Sequence, residues 1–238
     1  MLQVGVQSII KINGIEVARA HNTILSAGFN VIGRRIFDTD ANYSTQIKWI
    51  RYTFSDLSPL TFATAYTETS NTVHKIAYTW VSDQTPCNLT SIHAMFANST
   101  SDSYIAASYT FASLPVNSSD TVIAEFIFTL SGNSWQNAGF QIIGHRCFDQ
   151  ANSYTAPLNY YSFDGGTTRI AVGAAPLTNY ANISNTVHDL NTTIATTETS
   201  NSTRLYNAAT SGTLGFSQSV TRNLVAGQPF KFRLTVGQ

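Results

Sequence analysis

Five histidines, His21, His74, His93, His145 and His188, are the side chains best suited to acid–base or metal chemistry in this chain. None stands in H-x-x-x-H or H-E-x-x-H spacing, which would bring two imidazoles to one helix face around a zinc ion. His74 and His188 each close a copy of the pentapeptide SNTVH. Two readings are open for them: a duplicated site, or two strand histidines with satisfied partners, of which the second is favoured. The carboxylates are scattered. Asp38 and Asp40 are neighbours, Asp102 and Asp120 are close only along the chain, and no spacing resembles a glycosidase pair or a calcium loop. No G-x-G-x-x-G, G-x-x-x-x-G-K-[ST] or G-x-S-x-G occurs, so no phosphate cradle and no nucleophile elbow is encoded.

Cys87 and Cys147 are too few for a four-cysteine zinc site and match no redox motif. They read as two buried thiols, with a disulfide as the alternative. No nucleophile, base and orienting group can be assembled. The site assignment is therefore catalytic none, cofactor none and metal none, and the chain is read as a non-enzyme. The sequons Asn42, Asn88, Asn98, Asn117, Asn182, Asn191 and Asn201 are a weak hint of glycosylation in a chain so rich in Asn, Ser and Thr.

The elements that would carry any site come from a duplication. AGFNVIGRRIFD at 27–38 returns as AGFQIIGHRCFD at 138–149, and SNTVH at 70–74 returns at 184–188. NLTSI at 88–92 matches NSTRL at 201–205, and EFIFTLSG at 125–132 is set beside FKFRLTVG at 230–237. Four blocks in one order divide the chain into residues 1–132, which include an N-terminal hairpin, and 133–238. The boundary falls in the turn-forming run Ser131-Gly132-Asn133-Ser134.

Each unit opens with a helix. Leu25, Phe29, Ile32 and Ile36 form one apolar stripe, with Asn22 or Thr23 as the expected N-cap. Gly28 and Gly139 take the same mid-helix position, where glycine costs about 1 kcal/mol against alanine, so close packing against a neighbour is expected there. Arg35 with Asp38, and Arg146 with Asp149, read as structural ion pairs. The rest is strand. Val122 to Leu130 and Phe230 to Val236 alternate with period two, while 48–54 and 104–111 are rich in β-formers. Asn13-Gly14 predicts a type I′ hairpin with Ile12 opposite Ile15 and Ile10 opposite Val17. Its second strand is expected to join the first unit, in the role that 121–130 plays before the second helix. The fold class is mainly β: two tandem β-sandwich, jelly-roll-like domains, each with one short amphipathic helix.

Composition narrows the function. Thirteen basic and thirteen acidic residues cancel, and only 11% of the 238 residues are charged. A basic surplus for nucleic acid is absent. The 14 Phe and 11 Tyr exclude a disordered chain. Polar residues interrupt the N-terminal twenty, so no signal peptide is read; the chain either bypasses that export route or was trimmed before Met1. No run reaches the ~18 apolar residues of a membrane helix, and a soluble chain without membrane insertion is expected.

The order HNTILSAGFNVIGRRIF, IKWIRYTFSD, YTWVSD, NLTSIHAMFANSTSDSYIAASYTF and DTVIAEFIFTLSG is similar to a repeat of tail-fibre and appendage proteins from viruses of bacteria and archaea. The tandem arrangement also resembles turret or spike proteins at the capsid vertices of archaeal icosahedral viruses. The first unit fits throughout; the second is expected to lack the Trp80 strand and to be shortened after Tyr206. The resemblance implies a virion structural protein, assembled in the host cytoplasm and exposed on the particle. Its implied partners are copies of itself in a homo-oligomer and other virion proteins, with host-surface glycans or a receptor contacted at attachment. Two alternatives stay open: a strand-exchanging subunit of a cell-surface filament, and a carbohydrate-binding module using Tyr43, Tyr154, Tyr160 and Tyr161.

Overall fold

The computed structural model describes residues 1–37, 46–83, 86–149, 156–158, 160–163, 170–171, 180–194, 197–208 and 211–238. The first half runs β1 (Leu2–Ile12), β2 (Ile15–Asn22), α1 (Ser26–Phe37), β3 (Trp49–Phe54), β4 (Leu60–Ala63), β5 (Ala65–Ser70), β6 (Val73–Val81), β7 (Cys87–Met95), β8 (Ile105–Val116) and β9 (Thr121–Ser131). The second half runs α2 (Asn137–Phe148), β10 (Tyr160–Ser162), β11 (Ile170–Ala171), β12 (Tyr180–Ser184), β13 (Val187–Thr193), β14 (Glu198–Tyr206), β15 (Leu214–Leu224) and β16 (Pro229–Gly237). The protein is mainly β, with several sheets and two helices.

The alternation read from sequence sets which side of each strand is buried. Val122, Ala124, Phe126, Phe128 and Leu130 of β9 face inward, as do Phe230, Phe232, Leu234 and Val236 of β16. Both strands lie in one eight-stranded sheet ordered β12-β13-β16-β1-β9-β6-β5, with β2 paired to β1. Two four-stranded sheets cover it. The sheet β4-β3-β7-β8 packs on the β6 region, where Phe62 stacks on Tyr78 at 4.4 Å and Phe54 meets Trp80 at 5.4 Å. The sheet β11-β10-β14-β15 packs on the β16 region, where Phe163 meets Phe230 at 4.7 Å and Phe216 meets Phe232 at 5.0 Å.

One tyrosine in each half ties the layers together. Tyr52 donates to the Tyr78 carbonyl at 2.9 Å, and Tyr161 donates to the Leu190 carbonyl at 3.1 Å. Burial pushes both phenols well above their ordinary pKa, so each hydroxyl stays a donor. The buried side chains of the two halves form one continuous cluster.

Several sequence expectations shift. Asn13 and Gly14 adopt φ of 52° and 80°, as a type I′ turn requires, and Ile12 lies opposite Ile15. A bulge between Ile10 and Lys11 then sets Ile10 opposite Ala18 instead of Val17. The first strand of this hairpin makes the long pairing, Gln3 to Ile12 against Val122 to Ser131 of β9, while β2 pairs with β1. Helix α1 starts at Ser26, so neither Asn22 nor Thr23 is its N-cap; Asn22 bonds Ser8 Oγ of β1 instead.

The second half does have a counterpart of the Trp80 strand. His74 of β6 pairs with Phe128, and His188 of β13 pairs with Leu234. The same pairs correct the fourth repeat block by one residue: Phe128 corresponds to Leu234, which restores the inward alternation that the unshifted match breaks. Strand β15 likewise takes the place of β8 after Tyr206.

Candidate functional site: the reciprocal joint between the halves

Each helix belongs by sequence to one half and packs against both. At its N-terminal end α1 lies on β8 of its own half, where the Leu25 amide donates to the Ala106 carbonyl at 2.9 Å. Helix α2 lies on β15 in the same way, with the Gln136 amide donating to the Gly215 carbonyl at 3.0 Å. The glycines expected to permit a close approach do so. A Cβ added at Gly28 would lie 2.5 Å from the Ala106 oxygen, and one at Gly139 would lie 2.1 Å from the Gly215 oxygen.

At their C-terminal ends the helices exchange partners. Gly33 of α1 is covered by His188 of the second half, and Gly144 of α2 is covered by His74 of the first. An added Cβ would lie 2.0 Å from His188 Nε2 in one case and 2.0 Å from His74 Cε1 in the other. The two imidazoles are fully buried. Tyr66 bonds His74 Nδ1 at 2.9 Å, and Tyr180 bonds His188 Nδ1 at 2.8 Å. His74 Nε2 adds a bond to the Asn71 carbonyl at 3.2 Å and its ring stacks on Phe148. Burial pulls the pKa of each imidazole down to about 4, so both are neutral near pH 7.

The backbone exchange is equally reciprocal. The last carbonyls of a helix lack intrahelical donors. Here Ile47 of the first half donates to the Cys147 carbonyl of α2 at 2.8 Å, and Leu158 of the second half donates to the Ile36 carbonyl of α1 at 2.9 Å. Arg35 Nε donates to the Arg146 carbonyl at 2.7 Å, and Arg146 Nε donates to the Arg35 carbonyl. Hydrogen bonds to charged groups contribute about 1.5–3 kcal/mol each, which makes these two guanidinium bonds a substantial clamp across the helix pair. Asp38 lies outside the described residues, and Asp149 accepts from His145 Nδ1 at 2.8 Å.

Histidine 145 departs from the twofold pattern. Its Nε2 faces Glu68 Oε2 at 2.9 Å while Nδ1 faces Asp149, so protonation would let both nitrogens donate to carboxylates. In the other half Arg34 takes the place of His145 and Asn182 that of Glu68, and Asn182 is bonded to Asn30 at 3.0 Å beside Arg34.

Sequence reasoning missed one polar cluster. Ser91 Oγ meets His93 Nε2 at 2.9 Å on the face of β7, across from buried Arg51. The signal was the S-x-H spacing, which puts both side chains on one strand face. A hydrolytic triad needs a carboxylate on the far imidazole nitrogen. His93 Nδ1 has no such partner among the described residues, and burial with the nearby Arg51 charge pulls its pKa down to about 4. Asp102, which does carry the charge to match Arg51, binds the guanidinium at 2.5 Å. The cluster braces a loop.

The remaining candidates are dispersed. His21 is exposed on β2, 3.5 Å from Gln7 Nε2. Cys87 and Cys147 are separate free thiols, both buried. Asp120 caps the turn through Asn13 Nδ2 and the Asn117 amide, each at 2.7 Å. Of the tyrosines read as glycan contacts, Tyr43 and Tyr154 lie outside the described residues, and Tyr160 is half-buried. Tyr161 is core, because its hydroxyl finds a carbonyl between the sheets. Asn88, Asn98, Asn117 and Asn201 are exposed, whereas Asn182 and Asn191 are half-buried. Asn42, Asp38 and Asp40 lie outside the described residues. No helix among the described residues is long and apolar enough to cross a membrane.

Comparison with known protein families, curated proteins and solved structures returns no match to this chain.

Proposed function

We propose that this chain is a structural subunit of a virion appendage, a turret or spike at a capsid vertex or a tail-fibre-type component, and that it works as two tandem jelly-roll-like sandwiches locked into one body. The observation that carries the reading is the reciprocal joint. His74 and His188, each buried and bonded to a tyrosine of its own half, pack on Gly144 and Gly33 of the opposite half, and Arg35 and Arg146 exchange carbonyl bonds across it, an arrangement suited to bearing load. The motif order that resembles appendage repeats, the low charge and the hydroxyl-rich surface support the same reading. A surface with so little charge repulsion favours close contact between copies, and cyclic symmetry would bury its exposed strand edges.

The partners on this reading are further copies of the chain and other virion proteins, with a host receptor or glycan at the exposed end. Mass spectrometry and electron microscopy of purified particles test it. The chain should be present in a fixed ratio to the capsid protein and occupy symmetric density on the particle surface. A stable 25.9 kDa monomer that is absent from purified particles would overturn the assignment.

A further inference from the structure

The duplicated halves differ at one place where the repeat demands sameness. In the first half, the edge of β9 that faces away from β6 is covered along its length by β1. The counterpart of β9 is β16, whose residues are offset by 106 positions because Phe128 and Leu234 both oppose the conserved histidine of the repeat. The β1 segment Gly5–Lys11 covers Ile123–Thr129, which corresponds to Pro229–Thr235. On β16 that stretch is paired with β13 on one side, whereas β1 touches the other side only through Leu2 and Gln3, opposite Val236 and Gly237. Among the described residues, none pairs with the second edge of Pro229–Thr235.

A cleft of about 340 Å³ runs along that edge. One wall is Phe230 to Leu234, five consecutive residues, so both faces of the strand border the space and its edge must be what the cleft exposes. The other wall includes Trp135, Phe216 and Arg222. Two polar atoms lining it, Trp135 Nε1 and Thr203 Oγ1, are buried without a partner, and their residues are only 7% and 2% exposed. Buried polar atoms of this kind are normally paired. The backbone orientation agrees. Val236 donates to Thr186 on the β13 side, so the alternation of an antiparallel strand turns the N–H and C=O groups of Lys231, Arg233 and Thr235 towards the cleft.

We infer that the β16 edge is an acceptor site for one extended strand donated by another polypeptide chain. The occupant follows from the filled half. It runs antiparallel to β16 over about seven residues and places apolar or small side chains inward at alternate positions, as Val6, Ser8 and Ile10 do against β9. Main-chain bonds would supply the affinity and the inward side chains the selectivity, as in other strand additions. This inference goes beyond the virion reading and does not depend on it.

A labelled peptide with the sequence of residues 2–12 is the probe, titrated against the full chain by fluorescence anisotropy. One saturable site is expected, with a scrambled peptide at least tenfold weaker. Lys231→Pro deletes an edge N–H without touching the β13 ladder, and should weaken binding at least tenfold. Two further peptides, N-methylated at odd or at even positions, leave the protein untouched; one should bind and the other should not. Binding that survives both Lys231→Pro and either methylation pattern, or no saturable binding at all, overturns the inference and leaves Lys231 and Arg233 as guards of a closed edge. Either result is independent of whether the chain is found in particles.

Discussion

Replacing Gly144 with alanine tests the joint most directly. In an isolated helix the change would add about 1 kcal/mol of stability. Here the new methyl would stand 2.0 Å from His74 Cε1, inside a ring held by Tyr66, the Asn71 carbonyl and Phe148. The imidazole must leave its seat. Overpacking costs about 1–3 kcal/mol, and separating a buried imidazole from its hydrogen-bond partner costs about 1–3 more. Less the propensity gain, the net destabilisation is about 3 kcal/mol, or roughly 6–12 °C in Tm for a chain of this size. Thermal melts followed by circular dichroism measure it. The His74→Ala background supplies the cycle: with the ring gone, Gly144→Ala should become neutral or stabilising. A rise in Tm in the parent protein, or an equal loss in both backgrounds, would refute the reasoning.

Other outcomes follow from the same geometry. His74, His93 and His188 have pKa values held near 4 in the folded state against about 6.5 unfolded, so the unfolded chain binds more protons between those values. Stability should therefore be flat above pH 7, fall as pH drops from about 6.5 towards 4, and lose at most ~4 kcal/mol per pH unit at the steepest point if all three contribute; a flat profile between pH 6.5 and 5 in a denaturant series would contradict this. Tyr52→Phe and Tyr161→Phe should each lower stability by about 1–2 kcal/mol, since each strands a buried carbonyl, and urea midpoints should shift alike for the two. Burial raises the Cys87 thiol and pushes Cys147 up to about 12, so a thiol reagent at pH 8 should label neither in the native state and both in guanidinium; rapid native labelling of Cys147 would mean that the helix joint opens.

The sequence by itself determined what depends on neighbours along the chain. Period-two alternation marked β9 and β16, the 3.6 period marked both helices, and Asn13-Gly14 set its turn, because each of these is decided by side-chain spacing and local φ preference. It also exposed the duplication, and with it the expectation that Gly28 and Gly139 approach a neighbour. Partner choice was not legible. Nothing in GVQSIIK says whether it pairs with β9 or β16, since both offer an inward apolar face and only the space around them differs. Gly33 and Gly144 gave no sign that their neighbour would be a histidine of the opposite half. Nothing near Arg35 or Arg146 signalled that each would also donate to the other's carbonyl, 111 residues away. The tertiary structure decided those contacts: burying two apolar helices between three sheets leaves the helix-end carbonyls without water, and backbone amides and guanidinium groups of the other half stand close enough to satisfy them.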